Sequence, residues 1–213
     1  MIKFIKILCL TCVLCAAGFA QNQTDEYKKN EFYVGYSHQQ IDRGNYRPGN
    51  GFEGAYVRNI HKYFGIKGSV SGAYSGDEFI IRQTTTTTPT ENFEYRQKVN
   101  TATYNFLGGV QVKNNASEAR FKPFAHALAG VAVTRNKFSL TCTTGNCPPP
   151  YATGVNFNFN DTNFAAAVGG GLDIRINDRI DFRAIQVDYN PIFSGGGGSI
   201  QHNVRFGIGV VFK

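Results

Sequence analysis

Tryptophan is absent from the 213 residues, methionine occurs once, and no run after residue 20 approaches the roughly 20 apolar residues a membrane-crossing helix needs. Helical periodicity is missing as well. These gaps exclude a helix bundle, soluble or membrane-spanning. Charge is sparse, at 17% of residues, and although the net value is +7, lysine and arginine are scattered one or two at a time. A nucleic-acid surface would gather them into a patch or stripe, so no nucleic-acid partner is expected. Cysteine is scarce too: of five, Cys9, Cys12 and Cys15 fall in the first 20 residues, leaving Cys142 and Cys147.

The first 20 residues have the form of an export signal. Lys3 and Lys6 supply the positive start, Ile7 to Ala17 the short apolar core, and Gly18-Phe19-Ala20 the small residues of a cleavage site between Ala20 and Gln21. Leu14 before Cys15 is not the small residue that lipoprotein processing needs. The expected organisation is a signal peptide over 1–20, a short periplasmic segment over 21–30, and one domain over 31–213. In an exported chain, Cys142 and Cys147 read as a disulfide. Closing so small a loop constrains the unfolded chain by about 2 kcal/mol, enough to clip a loop tip but not to hold a fold.

What the chain has is glycine, 24 residues, and aromatics at 14%, together with a recurring period of two, the signature of strands. Strands are predicted near 31–41, 51–61, 64–75, 98–112, 120–140, 154–176, 180–189 and 200–212. In the third, Phe64, Ile66, Val70 and Tyr74 share one face while Lys67, Ser69, Ser71 and Ala73 share the other. A soluble lipocalin-like barrel would carry Lys and Glu on its outer face. Here the polar face is Gly, Ser, Thr and Asn with few charges, which suits a narrow lumen inside an apolar exterior. Connections alternate between longer (42–50, 76–97, the excursion after 140, 190–199) and shorter (62–63, 113–119, 177–179). That sorting fits an eight-stranded antiparallel up-and-down transmembrane β-barrel, with short turns on one side of a membrane and long loops on the other. "VNFNFN" (155–160) is expected to pair with Arg135 to Leu140 as a protruding hairpin with "CTTGNC" near its tip. "TTTTTPT" (84–90) reads as a solvated spacer.

"PFAHALAG" (123–130), "AAAVGGGLDIRINDRIDFR" (165–183) with "QVDY" after it, and the closing "NVRFGIGVVF" resemble the eight-stranded outer-membrane barrels grouped with the OmpA transmembrane domain and OmpX. The resemblance runs from about Phe32 to the end and is most distinctive in the last 50 residues. It implies residence in a bacterial outer membrane, contact with its lipid and lipopolysaccharide, and insertion by the barrel assembly machinery. That machinery reads an alternating final strand, here Phe206, Ile208, Val210 and Phe212, although Lys213 displaces the aromatic to the penultimate position. A peptidoglycan-binding role is not implied.

The last short connection fixes a register. A three-residue turn, Asn177-Asp178-Arg179, pairs Asp173 with Arg183 and Arg175 with Asp181 toward the lumen, and Ile174 with Phe182 and Ile176 with Ile180 toward lipid. A one-residue slip would exchange the faces. Continued upward, this register would turn Gln186 and Asp188 outward, so a β-bulge near Ala184 is expected to restore them. Lys67, Asp173, Arg175, Asp181, Arg183 and Arg205 form the expected lumen charge network. No catalytic residue, metal site or cofactor is expected: His38, His61, His126 and His202 lack ligand spacing, His126 has no serine beside it, and Gly169 to Gly171 lie within a strand. The expected role is non-enzymatic, envelope-structural or surface-interacting through long loops that could take an unidentified extracellular ligand. A small-solute pore is the alternative, and a lipid-modifying enzyme the remoter one.

Overall fold

The computed structural model describes residues 27–41, 49–84, 92–116, 118–145, 147, 154–193 and 199–213. The expected cleavage point between Ala20 and Gln21 lies outside them. Ten strands follow in order: β1 (Asn30–Ile41), β2 (Gly49–Asn59), β3 (Phe64–Thr84), β4 (Asn92–Lys113), β5 (Phe121–Thr144), β6 (Val155–Arg175), β7 (Ile180–Tyr189), β8 (Ile192–Phe193), β9 (Ile200–Gln201) and β10 (Asn203–Phe212). Each of β1 to β6 pairs antiparallel with the next, β6 with β7, β7 with β10, and β10 with β1. The ring is a closed eight-stranded barrel, with β9 and β10 together forming its last stave. Among the described residues no helix is long and apolar enough to cross a membrane.

The faces are inverted relative to a soluble protein. Phe32, Val34, Ile66, Val70, Phe106, Val110, Phe182 and Ile208 point outward and are exposed, while Glu53, Lys67, Asp173, Arg183 and Arg205 are buried inside. This arrangement follows from a solvent of lipid, where apolar side chains cover the outside and strand pairing must satisfy every backbone group. Rings mark both boundaries: Phe32 lies 5.0 Å from Tyr56 at the end carrying the short turns, and Tyr74 meets Tyr104 edge-on at 5.8 Å at the other. Phe206, Ile208 and Phe212 are on the exposed outer face, with Val210 partly covered.

The register between β6 and β7 is the expected one. Asp173 opposes Arg183, Ile174 opposes Phe182 and Arg175 opposes Asp181, and the pairing then slips so that Leu172 opposes Ile185. Ala184 is the extra residue, and β10 steps past the same point between Gly207 and Gly209. Because of this bulge, Arg183 and Gln186 are both buried while Ile185 and Val187 face outward.

Three connections differ from their sequence reading. The stretch 76–97 is not one long loop: β3 and β4 stay paired from Ser75 with Thr101 up to Thr84 with Asn92. The turn between β2 and β3 starts earlier, at Ile60. Ile192 and Phe193, placed in a connection, pair with Ala165 and Phe164 of β6 and with β9. The hairpin over 135–160 forms as expected, Arg135 opposite Asn160 and Leu140 opposite Val155, with Cys142 and Cys147 joined by a disulfide.

Candidate functional site

Three levels of the lumen differ in chemistry. In the lower half, near the short turns, inward positions on all eight staves carry polar or charged groups that contact one another. Arg183 donates from Nε to Asp173 Oδ1 at 2.8 Å, from Nη2 to Asp173 Oδ2 at 3.1 Å, and from Nη1 to Gln186 Oε1 at 2.8 Å. Its guanidinium lies 3.9 Å from the ring centre of Phe124 and 4.3 Å from that of Tyr33. Lys113 bridges Glu31 at 2.5 Å and Asp173 at 3.2 Å. Arg205 donates to Asp188 at 2.6 Å and to the Ser71 hydroxyl at 2.7 Å, with Glu53 at 3.6 Å. Lys67 lies 3.6 Å from Glu53 and 3.3 Å from His126 Nδ1, and the other ring nitrogen of His126 is 2.9 Å from Asp188. Pairing on this scale is what allows so many ionised groups to be buried together.

Of the charges expected here, Lys67, Asp173, Arg183 and Arg205 meet in this cluster, while Asp181 is buried at its lower rim against Lys213 at 2.6 Å. Arg175 departs from expectation. Although its backbone opposes Asp181, its side chain turns to Asp178 in the adjacent turn and to the Glu118 carbonyl. Lys213 fills the place beside Asp181 because its backbone N–H donates to the Arg179 carbonyl and holds the chain end there. The Arg175 contact holds the exposed Asp178 carboxyl below its usual range. Glu31, Glu53 and Lys113 join the cluster without having been singled out, and so do His126 and Asp188, the latter expected inward by way of the bulge but not placed in the charge network. Inward parity on a strand was the signal that could have found them.

Above the charges, Leu107, Leu128, Ala132, Ala165, Ala167 and Ile192 form an apolar cluster on the β4 to β6 side, and Asn105, Asn190 and Asn203 are buried near it. Higher still, a cavity of about 330 Å³ occupies the outer end, with Ile192 in its lining. Among the described residues no group of three His, Cys, Asp or Glu side chains could hold a metal ion.

A buried polar lumen within an apolar closed barrel is the architecture of an outer-membrane protein, and the comparison of sequences agrees. The family model for the outer membrane protein beta-barrel domain matches residues 11–212. The chain belongs to this family. Its place is the bacterial outer membrane, and barrels of this kind carry short turns on the periplasmic side and longer loops outside. Among solved structures, the attachment invasion locus protein of Yersinia pestis, in complex with the heparin analogue sucrose octasulfate, is 13% identical, with 86% of this chain and 96% of that one covered and a TM-score of 0.53. Neisserial surface protein A is 11% identical, with coverage of 88% and 99% and a TM-score of 0.45. No curated protein matches the chain.

Proposed function

We propose that this outer-membrane barrel is a non-enzymatic surface-interaction protein whose contact element is an extracellular wall of four strands. The carrying observation is the unequal height of the staves. β3 outruns β2 above Tyr74, and β6 pairs only with β5 from Val155 to Asn163, so among the described residues β3 to β6 rise together with their two edges unpaired. At about 3.3 Å per residue the overhang is roughly 30 Å along the strands. Unpaired strand edges are templates for another extended chain. The outward face at the wall's base carries Arg135, 5.9 Å from the centre of the Tyr104 ring, and Lys137 on the same strand, a placement suited to the phosphates of lipopolysaccharide.

The experiment is to shorten the β3–β4 and β5–β6 hairpins to the height of β2. The shortened protein should keep the folded, heat-sensitive gel migration of a closed barrel while cells expressing it lose adhesion or ligand capture. Unchanged surface behaviour would count against the wall. The second reading, a small-solute pore, predicts conductance steps in planar bilayers. Burial of the charged cluster and of the apolar layer above it supports their absence.

Assembly is part of the same proposal: residues 1–20 direct export and are removed between Ala20 and Gln21, and the final strand is read by the barrel assembly machinery. Phe212→Gln should reduce the assembled fraction more than Lys213→Gln, because Phe212 presents its ring to lipid whereas Lys213 acts inside, on Asp181. Equal losses on fractionated membranes would contradict this, as would an intact mass that retains the first 20 residues.

A further inference from the structure

We infer that the cavity at the outer end of the barrel is a binding site for a neutral sugar ring. At about 330 Å³ it falls at the small end of the range for small-molecule sites, roughly 300–1,000 Å³. Its lining contains no lysine or arginine, and its one carboxylate is Asp161. In the lower lumen the buried carboxylates have cations beside them, whereas Asp161 has no ion-pair partner among the described residues. An anion entering here would meet a carboxylate with no cation to offset it. An apolar ligand would strand hydroxyls and amides without partners, at a cost of about 1–3 kcal/mol for each group desolvated.

The free valences point to a ligand rich in hydroxyls. Thr101 Oγ1 donates to Asn136 Oδ1 at 2.8 Å, which fixes the Asn136 amide and leaves its NH2 to donate elsewhere. Gln201 donates its Nε2 to Asn203 Oδ1 at 2.9 Å, which leaves its carbonyl to accept. Asp161 adds a charged acceptor that can take two neighbouring hydroxyls. Beside these groups are the rings of Phe138 and Phe159: Phe159 is the cross-strand neighbour of Asn136 and is 53% exposed although it lies on the inward face of the wall, above the lipid. Phe159 is also stacked on Phe157 with centres 6.3 Å apart. A pyranose has the matching anatomy: hydroxyls around its edge for amides and a carboxylate, and a C–H face for an aromatic ring. Buried apolar residues, Leu107, Leu128 and Ala167 among them, lie beneath the cavity on the β4 to β6 side.

The test uses isotope-labelled full-length barrel in lipid nanodiscs, titrated separately with glucose, galactose, mannose and N-acetylglucosamine, with methylammonium and sulfate as ionic comparators. At least one sugar should give saturable shifts centred on Thr101, Asn136 and Gln201, with a Kd on the order of 1 mM. Asp161→Asn and Asn136→Leu should each weaken that binding about tenfold, the scale of losing a hydrogen bond to a charged or oriented group. Asp161→Asn is exposed and nearly isosteric, so it decides the matter if Asn136→Leu does not fold. The inference is overturned if none of the four sugars saturates, if saturation is indifferent to Asp161→Asn, or if methylammonium or sulfate alone saturates the site. The cavity is lined by side chains on the inner face of the wall, whereas a chain recruited by the strand edges would pair with their backbone, so these results bear on the cavity and not on the edges.

Discussion

Replacing Arg183 with alanine is expected to lower the stability of the folded barrel by about 3–5 kcal/mol, the scale of breaking a buried ion pair from one side. The guanidinium satisfies both oxygens of Asp173, donates to Gln186 Oε1, and is held between the rings of Tyr33 and Phe124. Its removal leaves Asp173 buried with only Lys113 to offset it and opens space between two aromatic rings. Asp173→Ala should cost a comparable amount by orphaning the arginine. The double variant should lose less than the sum, with a coupling energy between about 0.5 and 3 kcal/mol. Urea unfolding in lipid vesicles measures all three. Strict additivity would mean that the two side chains do not act on one another.

The second large effect is steric. A Cβ added to Gly171 would lie 2.0 Å from the Ile185 carbonyl oxygen and 2.9 Å from the Phe124 ring, and one on Gly169 would lie 2.2 Å from the Val187 carbonyl oxygen. These are backbone collisions beside the Ala184 bulge, where β6 and β7 cannot separate without breaking their ladder. Gly171→Val should therefore abolish the folded, heat-sensitive gel form, a loss beyond the roughly 1–3 kcal/mol typical of overpacking. Gly68→Ala on β3 is the matched control, because nothing lies within 4 Å of the added carbon. It should change stability by no more than about 0.5 kcal/mol. Similar behaviour of the two variants would show that the glycines are not there for close approach.

Within the membrane the sequence was readable because lipid and lumen demand opposite polarities at every second residue. The bulge is an instance: Ile185 and Val187 could not share the lumen while Gln186 and Asp188 faced lipid, so one extra residue had to be accommodated near Ala184. Above the membrane that rule stops. In Glu78-Phe79-Ile80-Ile81-Arg82 apolar residues fall on both faces of β3, water can reach either side, and the ladder with β4 leaves no period of two to follow. The charge cluster was half legible for a related reason. Parity announces which residues point inward, but Lys113 meeting Glu31, or Lys67 meeting His126, joins strands that are not neighbours. Arg175 shows the converse limit, since at a rim a long side chain can leave its cross-strand partner for the adjacent turn.

The contacts that cross the lumen also bear on how the barrel comes together. Glu31 of β1 reaches Lys113 of β4, which reaches Asp173 of β6, and Glu53 of β2 meets Arg205 of β10 and Gln186 of β7. A flat or half-curled sheet holds these side chains too far apart to meet. The ion pairs that cross the lumen, unlike Arg183 with Asp173 or Arg205 with Asp188 on adjacent strands, are therefore expected to form together with the final seam, which runs from Phe32 opposite Phe212 to Ile41 opposite Asn203. An open sheet would carry Glu31, Glu53 and Lys113 without these cross-lumen partners, and burying such charge unpaired in lipid is costly, so intermediates lacking the last seam are expected to be disfavoured.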